Sequence, residues 1–578
     1  MAPERYYIGI DVGTGSVRAA LVKHDGILVA SSTQETQTWR DPSDHHIFEQ
    51  STTDIWARIT DAVRIVLKES GVAAVDVKGI GFDATCSLAV TDFNGNPVTV
   101  TRGSDLGKGG ERNIVLWADH RAEKEADFIN SEPSVVLDYV GGTMSLEMEV
   151  PKILWLKNNM PASDFSLAQF YDLPDYLTYR ATGARTRSIC SITCKTAYVP
   201  TQGWNAEFFS RIGLATLAEN GYAQLGAVEA AGGVATAGVP VGKGLSVQAA
   251  KELGLLEGTP VGSAVIDAYA GWVGTIAARH DEGNGGLSAP VAFEESGHRL
   301  AACAGTSTCH IVQSRKGVFV KGVWGPYKDP IFPGWWMNEG GQSSTGQLID
   351  FIITTHPAYA ELKERAAKQQ ANIHEVLRQI MDEVKRAEGA GSWTETIKDM
   401  HLYPDLHGNR SPIADPRMRG SIMGLTLNDS LQDLARKYAL TLEAVSLQTR
   451  HILDALNGAG HSITSIYMSG SQAQNAALTQ LFADACEVPI VLPRMSSAAV
   501  VLGAAMLGRF AAEYNTIAIN ERSERLWKIM EEMTPHATIV KPAAVGKEQK
   551  ILKAKYKIFL ESIQIQQRWR AEIEVAAQ

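Results

Sequence analysis

Residues 6–22 read Y-Y-I-G-I-D-V-G-T-G-S-V-R-A-A-L-V, and residues 301–313 read A-A-C-A-G-T-S-T-C-H-I-V-Q. In the first, an apolar run from Tyr6 to Ile10 predicts a short buried strand. It stops at Asp11, turns through Val12-Gly13-Thr14-Gly15-Ser16, and resumes as a strand from Val17 to Val22. The second repeats that grammar: Ala301 to Cys303, a Gly305-Thr306-Ser307 turn, then Cys309 to Gln313. A turn of Gly, Thr and Ser between two strands points several backbone N–H groups at one place, and such a nest suits phosphate oxygens. A single turn of this kind is often only a hairpin. Two of them, some three hundred residues apart, predict two similar domains facing one nucleotide.

Working outward, Asp25-Gly26 supplies a hairpin turn and Ile27 to Ala30 a third strand. Ser51 to Ser70 has helical periodicity, Val77 to Phe82 reads as a strand, and Ser87 to Asp92 as another before the turn Asn94-Gly95. Helix and strand keep alternating, so the fold class is α/β with mixed sheets. With 578 residues the chain is too long for one core. The spans 101–113 and 279–299 are polar, Gly-rich and aperiodic, and read as mobile surface insertions. From about Thr516 the pattern is charged and helical, which predicts a tail packed on the second domain without chemistry of its own.

A net charge of −10 offers no general field for DNA or RNA. Anionic ligands must then be held by local dipoles or a metal ion. Six cysteines in so long a chain make no disulfide framework, and free thiols in a reducing cytosol are expected. The first residues lack a signal-peptide core and no run reaches the ~20 apolar residues of a membrane helix, so the expectation is a cytoplasmic protein.

Three further motifs carry chemistry. In G-T-P-V-G-S-A-V-I-D-A-Y-A-G (258–271) a strand ends on Asp267, and a helix from Ala268 to Ala278 follows. A carboxylate there suits a general base taking a proton from a hydroxyl, or a plain N-cap. Asp11, at its own strand end, is placed to hold Mg²⁺ through water. In I-Y-M-S-G-S-Q-A-Q-N (466–475) a strand, a Gly-Ser turn and a helix bearing amides can hold a purine and its ribose, or form an ordinary unit of an α/β sheet. A polar set in the first half comprises D-A-T-C-S (83–87), W-A-D-H-R (117–121) and Lys195. It suits a sugar pocket; equally, Asp119, His120 and Arg121 suit a surface ion-pair cluster, and Lys195 a snorkelling side chain.

Together these motifs resemble the FGGY family of carbohydrate kinases from Tyr6 to about Gly508. Within it, G-F-D-A-T-C-S-L (81–88), L-W-A-D-H-R-A (116–122), P-K-I-L-W-L-K (151–157), D-L-P-D-Y-L-T-Y-R-A-T-G (172–183), C-A-G-T-S-T-C-H (303–310) and P-G-W-W-M-N-E-G-G-Q-S-S-T-G (333–346) are similar to the ribulokinase branch, nearest the D-ribulose kinases. The resemblance implies two actin-like ATPase (ribonuclease H-like) domains, 1–275 on the sugar side and 276–515 on the ATP side, with a cleft between them and a helical tail over 516–578. It implies ATP contacts from Gly13, Thr14, Gly15, Ser16, Arg18, Gly305, Thr306, Ser307, Gly470, Ser471, Gln474 and Asn475. It makes Asp267 the catalytic base. Asp11, through water, and Asp267 would hold Mg²⁺. Asp83, Thr85, Cys86, Asp119, Arg121, Lys195, Asp267 and Glu339 would hold the sugar. The implied reaction is ATP-dependent phosphorylation of a pentulose, D-ribulose first, with D-xylulose or L-ribulose as alternatives in the same family. Outside the enzyme class the alternative is a non-catalytic actin-like nucleotide-binding protein; retention of Asp267, Lys195 and Glu339 favours the enzyme. The implied partners are a small sugar and ATP, with neither nucleic acid nor membrane, and the implied state is a monomer or homodimer.

Overall fold

The computed structural model describes residues 4–229, 232–281 and 286–578. Residues 282–285, inside the second polar span, lie outside that description. The first half is built on β1 (Tyr6–Val12), β2 (Ser16–Lys23), β3 (Leu28–Glu35), α1 (Thr52–Ser70), β4 (Val77–Ala84), β5 (Val265–Ile266) and α2 (Asp267–Val273). The second half uses β6 (Arg299–Ala304), β7 (Thr308–Ser314), β8 (Trp324–Lys328), β9 (Trp336–Gln342), α3 (Gly346–Thr354), α4 (Leu431–Ala459), β10 (Ser465–Ser469), α5 (Ala476–Cys486), β11 (Ile490–Pro493) and α6 (Ala499–Glu513).

The two main sheets share one plan. The first runs β5-β4-β1-β2-β3; the second contains the same succession as β11-β10-β6-β7-β9. In each, three antiparallel strands are followed by two strands parallel to the first of them, and in the second sheet β8 intervenes in the chain between β7 and β9 and pairs on the outer side of β9. The turns at Gly13 and Gly305 therefore occupy equivalent corners, between the first two strands of each sheet. Both faces of β1 are covered: Ile8, Ile10 and Val12 enter one core, and Tyr7 enters another. That is why the strand reads as continuous apolar sequence. Helix α1 has its ends where the sequence put them. The Ser51 side chain accepts a hydrogen bond from the Asp54 N–H, and Gly71 closes the helix at φ +67°.

Helix α6 locks the two halves together by backbone-level packing. It lies across β1 and β4, where Gly9, Gly79 and Gly81 leave no room for a side chain. A Cβ at Gly9 would sit 1.9 Å from the Val501 carbonyl oxygen, and one at Gly81 1.9 Å from that of Ala504. The same helix crosses α2: a Cβ at Gly274 would sit 1.9 Å from the Ala499 oxygen, and one at Gly503 2.0 Å from the Ala270 oxygen. Helix α2, which starts at Asp267, is thus wedged between this seam and β6, where Cys303 Sγ bonds the Ala268 oxygen at 3.4 Å.

Three expectations need revision. The helix after Asp267 ends at Val273 rather than Ala278, because Gly274 caps it and residues 274–277 continue as turns. The tail is not all helix: Ala537–Val540 is a strand, β12, pairing antiparallel with β11 at the edge of the second sheet. It is followed by α7 (Gly546–Ala576), which buries Phe559 and an ion pair between Lys555 and Glu443 of α4 at 2.5 Å. The span 101–113 is pinned rather than loose: Leu106 is buried, Thr99 N–H bonds the Lys108 oxygen at 2.8 Å, and Val100 N–H bonds the Arg112 oxygen at 2.9 Å. Among the described residues no helix is long and apolar enough to cross a membrane.

The seam predicts that Gly274→Ala and Gly503→Ala each lower the melting temperature by at least about 4 °C, since a methyl group would be driven into a carbonyl oxygen. Gly458→Ala, in α4 with nothing near its would-be Cβ, should leave it unchanged or slightly raised. Differential scanning fluorimetry on the three variants decides it; equal melting temperatures would remove the seam from its locking role.

Candidate active site

The site begins where the first sheet's strands end. Register places Asp11 of β1 beside Asp83 of β4, and Val265 of β5 beside Asp83 as well, so Asp267 emerges two residues on. Three carboxyl groups thus share one sheet edge. Burial, then the charge of Asp11, push the Asp267 carboxyl up to about 7, although the Ala268 N–H bonds its Oδ1 at 2.7 Å. Burial likewise lifts Asp11 to about 6. Asp83 is fully enclosed, and burial followed by Asp11 and Asp267 hold it well above the ordinary carboxyl range. Neither Asp83 oxygen meets an N–H or hydroxyl donor among the described residues; its neighbour is the Asp11 carboxyl, a contact that needs a shared proton. Asp83 therefore serves its two carboxyl neighbours, not an open pocket.

Beside this edge, Lys195 ends the short helix Ile189–Lys195 and is buried, with Nζ 4.3 Å from the ring centroid of Trp324 on β8 of the second half. Burial alone would lower the Lys195 pKa; the nearby Glu339 and Glu147 carboxylates hold the ammonium above its usual range. Arg410 also lies over Trp324, 4.2 Å from the centroid, and bonds Glu339 of β9. Thr85 caps the strand end by donating its N–H to the Val12 oxygen at 2.9 Å, and its hydroxyl lies 3.4 Å from that of Ser87. Burial pushes the Cys86 thiol far up, so it acts as an apolar wall.

Asp119 and Arg121 are placed differently from expectation. Asp119 Oδ2 accepts the Phe48 N–H at 2.8 Å, while Arg121 bonds Asp119 at 2.7 Å, Glu49 at 2.9 Å and the Val100 oxygen at 2.8 Å. Both side chains are fully enclosed in this network. It clamps the loops behind the pocket, so the pair is neither a sugar ligand nor a surface cluster. Glu147, Trp324 and Arg410 were missed from sequence. Only Arg410, in the turn H-G-N-R-S-P (407–412), had a legible local signal.

On the nucleotide side, Gly13 N–H bonds the Ser16 oxygen at 2.9 Å and Gly305 N–H the Ser307 oxygen at 2.8 Å, closing the two turns. A Cβ at Gly15 or Gly305 would meet nothing within 4 Å, so both turns face open space. Thr14 is held by Gln50 Nε2 at its carbonyl (2.8 Å) and by Trp117 Nε1 at its hydroxyl (3.0 Å). Arg18 donates to the Ser31 hydroxyl of β3 at 3.1 Å and reaches the other half at the Ser497 oxygen, 2.9 Å away. Ser496 in turn accepts the Gly470 N–H at 3.1 Å. Gly470 has φ +86°, and a Cβ there would sit 2.3 Å from the Ala304 oxygen, at the root of the second turn. Thr306 accepts the Thr345 N–H at 2.8 Å, and Gly305 the Gly346 N–H at 3.1 Å, bringing the start of α3 alongside. An unbroken chain of contacts thus joins both turns to the 470–475 segment. Ser471 and Gln474 are exposed there, while Asn475 caps α5 and bonds the Tyr438 hydroxyl at 2.9 Å. Nearby is a cavity of about 410 Å³ lined by Asp350, Tyr359, Asn372 and His374, among others. The His374 ring lies 5.7 Å from that of Tyr438. Sequence reading did not find this cavity.

Among the described residues no three or more side chains form a metal-holding cluster. Asp11 and Asp267 place hard carboxyl oxygens at one sheet edge, beside Asp83.

A duplicated sheet plan with paired glycine turns and a tuned carboxyl at the seam defines a two-domain phosphotransferase of the actin-like ATPase class. The chain belongs to the FGGY family of carbohydrate kinases: residues 6–274 match the family's N-terminal domain and residues 300–512 its C-terminal domain. It is 44% identical over 520 residues to a D-ribulokinase from Saccharomyces cerevisiae, covering 88% of this chain and 72% of that one. It is 39% identical to an FGGY carbohydrate kinase domain-containing protein from Homo sapiens, over 98% of each. In fold it matches a xylulose kinase from Rhodospirillum rubrum (TM-score 0.73, 17% identity, 98% and 99% of the two chains). It also matches a glycerol kinase with ADP from Plasmodium falciparum (TM-score 0.71, 16%, 97% and 98%).

The raised Asp267 pKa carries a signed prediction. Between pH ~4 and 7 the folded state binds a proton that the unfolded chain has released, so stability falls as pH rises through that window. Asp267→Asn should therefore melt a few degrees above wild type at pH 8, with the gap closing by about pH 4, while turnover drops ~10²–10⁴-fold. A variant with near-normal turnover, or one stabilised equally at both pH values, contradicts this.

Proposed function

We propose that the protein transfers the γ-phosphoryl group of ATP to the terminal hydroxyl of a pentulose, D-ribulose above others, giving D-ribulose 5-phosphate and ADP. The observation that carries it is the Asp267 carboxyl, tuned to about 7 and set on the seam between the two halves. A carboxyl raised that far above its ordinary range is matched to accepting a hydroxyl proton near neutral pH. The D-ribulokinase relative supports the choice of sugar. The alternatives are D-xylulose and L-ribulose.

In this reading Asp267 takes the proton of the terminal hydroxyl as its oxygen attacks the γ-phosphorus. The new O–P bond forms while the bond to the ADP oxygen breaks. The N–H groups of the turns at Gly13–Ser16 and Gly305–Ser307 face the phosphates, and Ser471, Gln474 and Asn475 border the nucleoside, whose base has the adjoining cavity at His374 available. Mg²⁺, when bound beside Asp11 and Asp267, supplies charge neutralisation. Lys195 and Glu339, with Thr85 and Cys86 as wall, hold the remaining hydroxyls, and the halves exclude water by meeting at Trp324. We place the domains at 1–275 and 276–515, with 516–578 attached to the second. Six free cysteines support a reducing compartment such as the cytoplasm; a monomer or homodimer suffices for the chemistry.

Coupled ADP release with D-ribulose, L-ribulose, D-xylulose, ribitol and glycerol tests the substrate. D-ribulose should give the highest kcat/KM, and D-xylulose, its C3 epimer, should lag ~10²-fold because a mismatched hydroxyl leaves buried charged groups unpaired. If D-xylulose or L-ribulose leads, the sugar assignment fails. In the same assay Lys195→Ala should raise the KM for the preferred sugar roughly tenfold to a hundredfold with little change for ATP. A larger effect on ATP would put Lys195 on the wrong side of the cleft.

A further inference from the structure

Glu339 is buried at 2% exposure and its two oxygens are in different states. Oε1 accepts a charge-assisted hydrogen bond from Arg410 Nη2. Oε2 is enclosed and has no hydrogen-bond donor among the described residues. An ionised carboxylate with half its accepting capacity idle is costly to bury unless a ligand completes it.

Arg410 is held by its loop, by a ring face and at both terminal nitrogens, while its Nε has no hydrogen-bond partner among the described residues. Its loop is anchored where Asn409 Nδ2 bonds Asp405 Oδ2 at 2.7 Å and Asn409 Oδ1 accepts the Ile413 N–H at 2.9 Å. Its guanidinium lies 4.2 Å from the Trp324 ring centroid, and Nη1 is 3.6 Å from Cys309 Sγ. The same Nη1 is 3.6 Å from Glu147 Oε2, in the first half of the chain. The berth for the guanidinium is Gly341, where a Cβ would lie 2.9 Å from both Cζ and Nε. The second glycine of E-G-G-Q (339–342) is thus explained by the arginine that holds the glutamate two residues before it.

We propose that Arg410 is a positioning residue for sugar recognition. It pins Glu339 through Oε1 so that Oε2 stands as a fixed acceptor for one sugar hydroxyl. Through Glu147 it ties that presentation to the meeting of the two halves. A fixed acceptor separates epimers because the wrong configuration leaves Oε2 unpaired, whereas a rotating carboxylate would follow either hydroxyl. This rests on the proposed placement of Glu339 on the sugar side.

The test is steady-state kinetics on Arg410→Gln, Arg410→Lys and Gly341→Ala, with sugar and ATP varied separately. The sugar used is whichever the wild type prefers, so an error in the substrate assignment shows in the wild type alone. Arg410→Gln should raise the sugar KM at least about tenfold, the worth of one charge-assisted hydrogen bond, and leave the ATP KM within about twofold. Its preference for the favoured sugar over the C3 epimer should shrink by at least about fivefold, which mere loosening of the fold would not produce. Arg410→Lys should recover part of the sugar KM, because it keeps the charge but not the planar fork. Gly341→Ala, which keeps the arginine but blocks its berth, should shift the sugar KM in the same direction. The proposal is overturned if any folded member of the set other than Arg410→Lys leaves both sugar KM and epimer preference unchanged, or raises the ATP KM as much as the sugar KM. Should only Arg410→Lys fold, an unchanged epimer preference in it overturns the proposal.

Discussion

Everything in the site depends on the close approach of α6 to α2 and to the edge of the first sheet. Carbonyl oxygens of Ala270, Ala499, Val501 and Ala504 occupy the space that a single methyl group on Gly503, Gly274, Gly9 or Gly81 would need. Contacts made at backbone level fix geometry more tightly than side-chain packing, because no rotamer can yield. Helix α2 carries Asp267 on its first residue, and β1 carries Asp11 on its sixth; both are clasped by the same helix. The carboxyl-bearing edge of one half is therefore positioned by an element from the other half's stretch of sequence.

That arrangement concentrates electrostatic cost at one sheet edge. Asp11, Asp83 and Asp267 crowd one strand edge; burial raises all three, and the charge of Asp11 adds to the rise of Asp83 and Asp267. Opposite them, Lys195 and Arg410 share the ring of Trp324 and neutralise Glu339 and Glu147. One wall is proton-hungry and the other is a balanced set of cations and carboxylates. A polyhydroxylated ligand between them can donate to one and pair with the other, and a strongly anionic one is left to the glycine turns. The enclosed network of Asp119, Arg121 and Glu49 backs this pocket from behind; its members share the residue types of a binding site but have spent them on each other.

Much of this was legible in the chain itself. The two glycine turns, Asp267 at a strand end, and the cap residues of α1 follow from local rules that need no partner, and they stand where those rules put them. What failed did so for want of long-range information. Asp119 and Arg121 are polar, adjacent and near a Trp in sequence, and nothing local says that Glu49 and Phe48 would close around them. Arg410 and Glu147 are 263 residues apart and meet only because the halves do. Strand β12 is four residues between charged helices, too short for its alternation to be read, and it exists because β11 offers an unpaired edge. Asp83 reads from sequence as a sugar ligand, but its neighbours across β1 and β5 are set by register, which sequence periodicity does not give.

The central claim is that one carboxyl, fixed at the seam, faces a sugar hydroxyl on one side and a nucleotide cradled by both glycine turns on the other. The most direct measurement is a crystal structure with D-ribulose, Mg²⁺ and a non-hydrolysable ATP analogue. An Asp267 oxygen should lie ~2.6–3.2 Å from the terminal hydroxyl, with that hydroxyl in line with the γ-phosphorus. N–H groups from both Gly13–Ser16 and Gly305–Ser307 should contact the phosphates. A terminal hydroxyl held by another group, or a triphosphate that touches only one of the two turns, would contradict it.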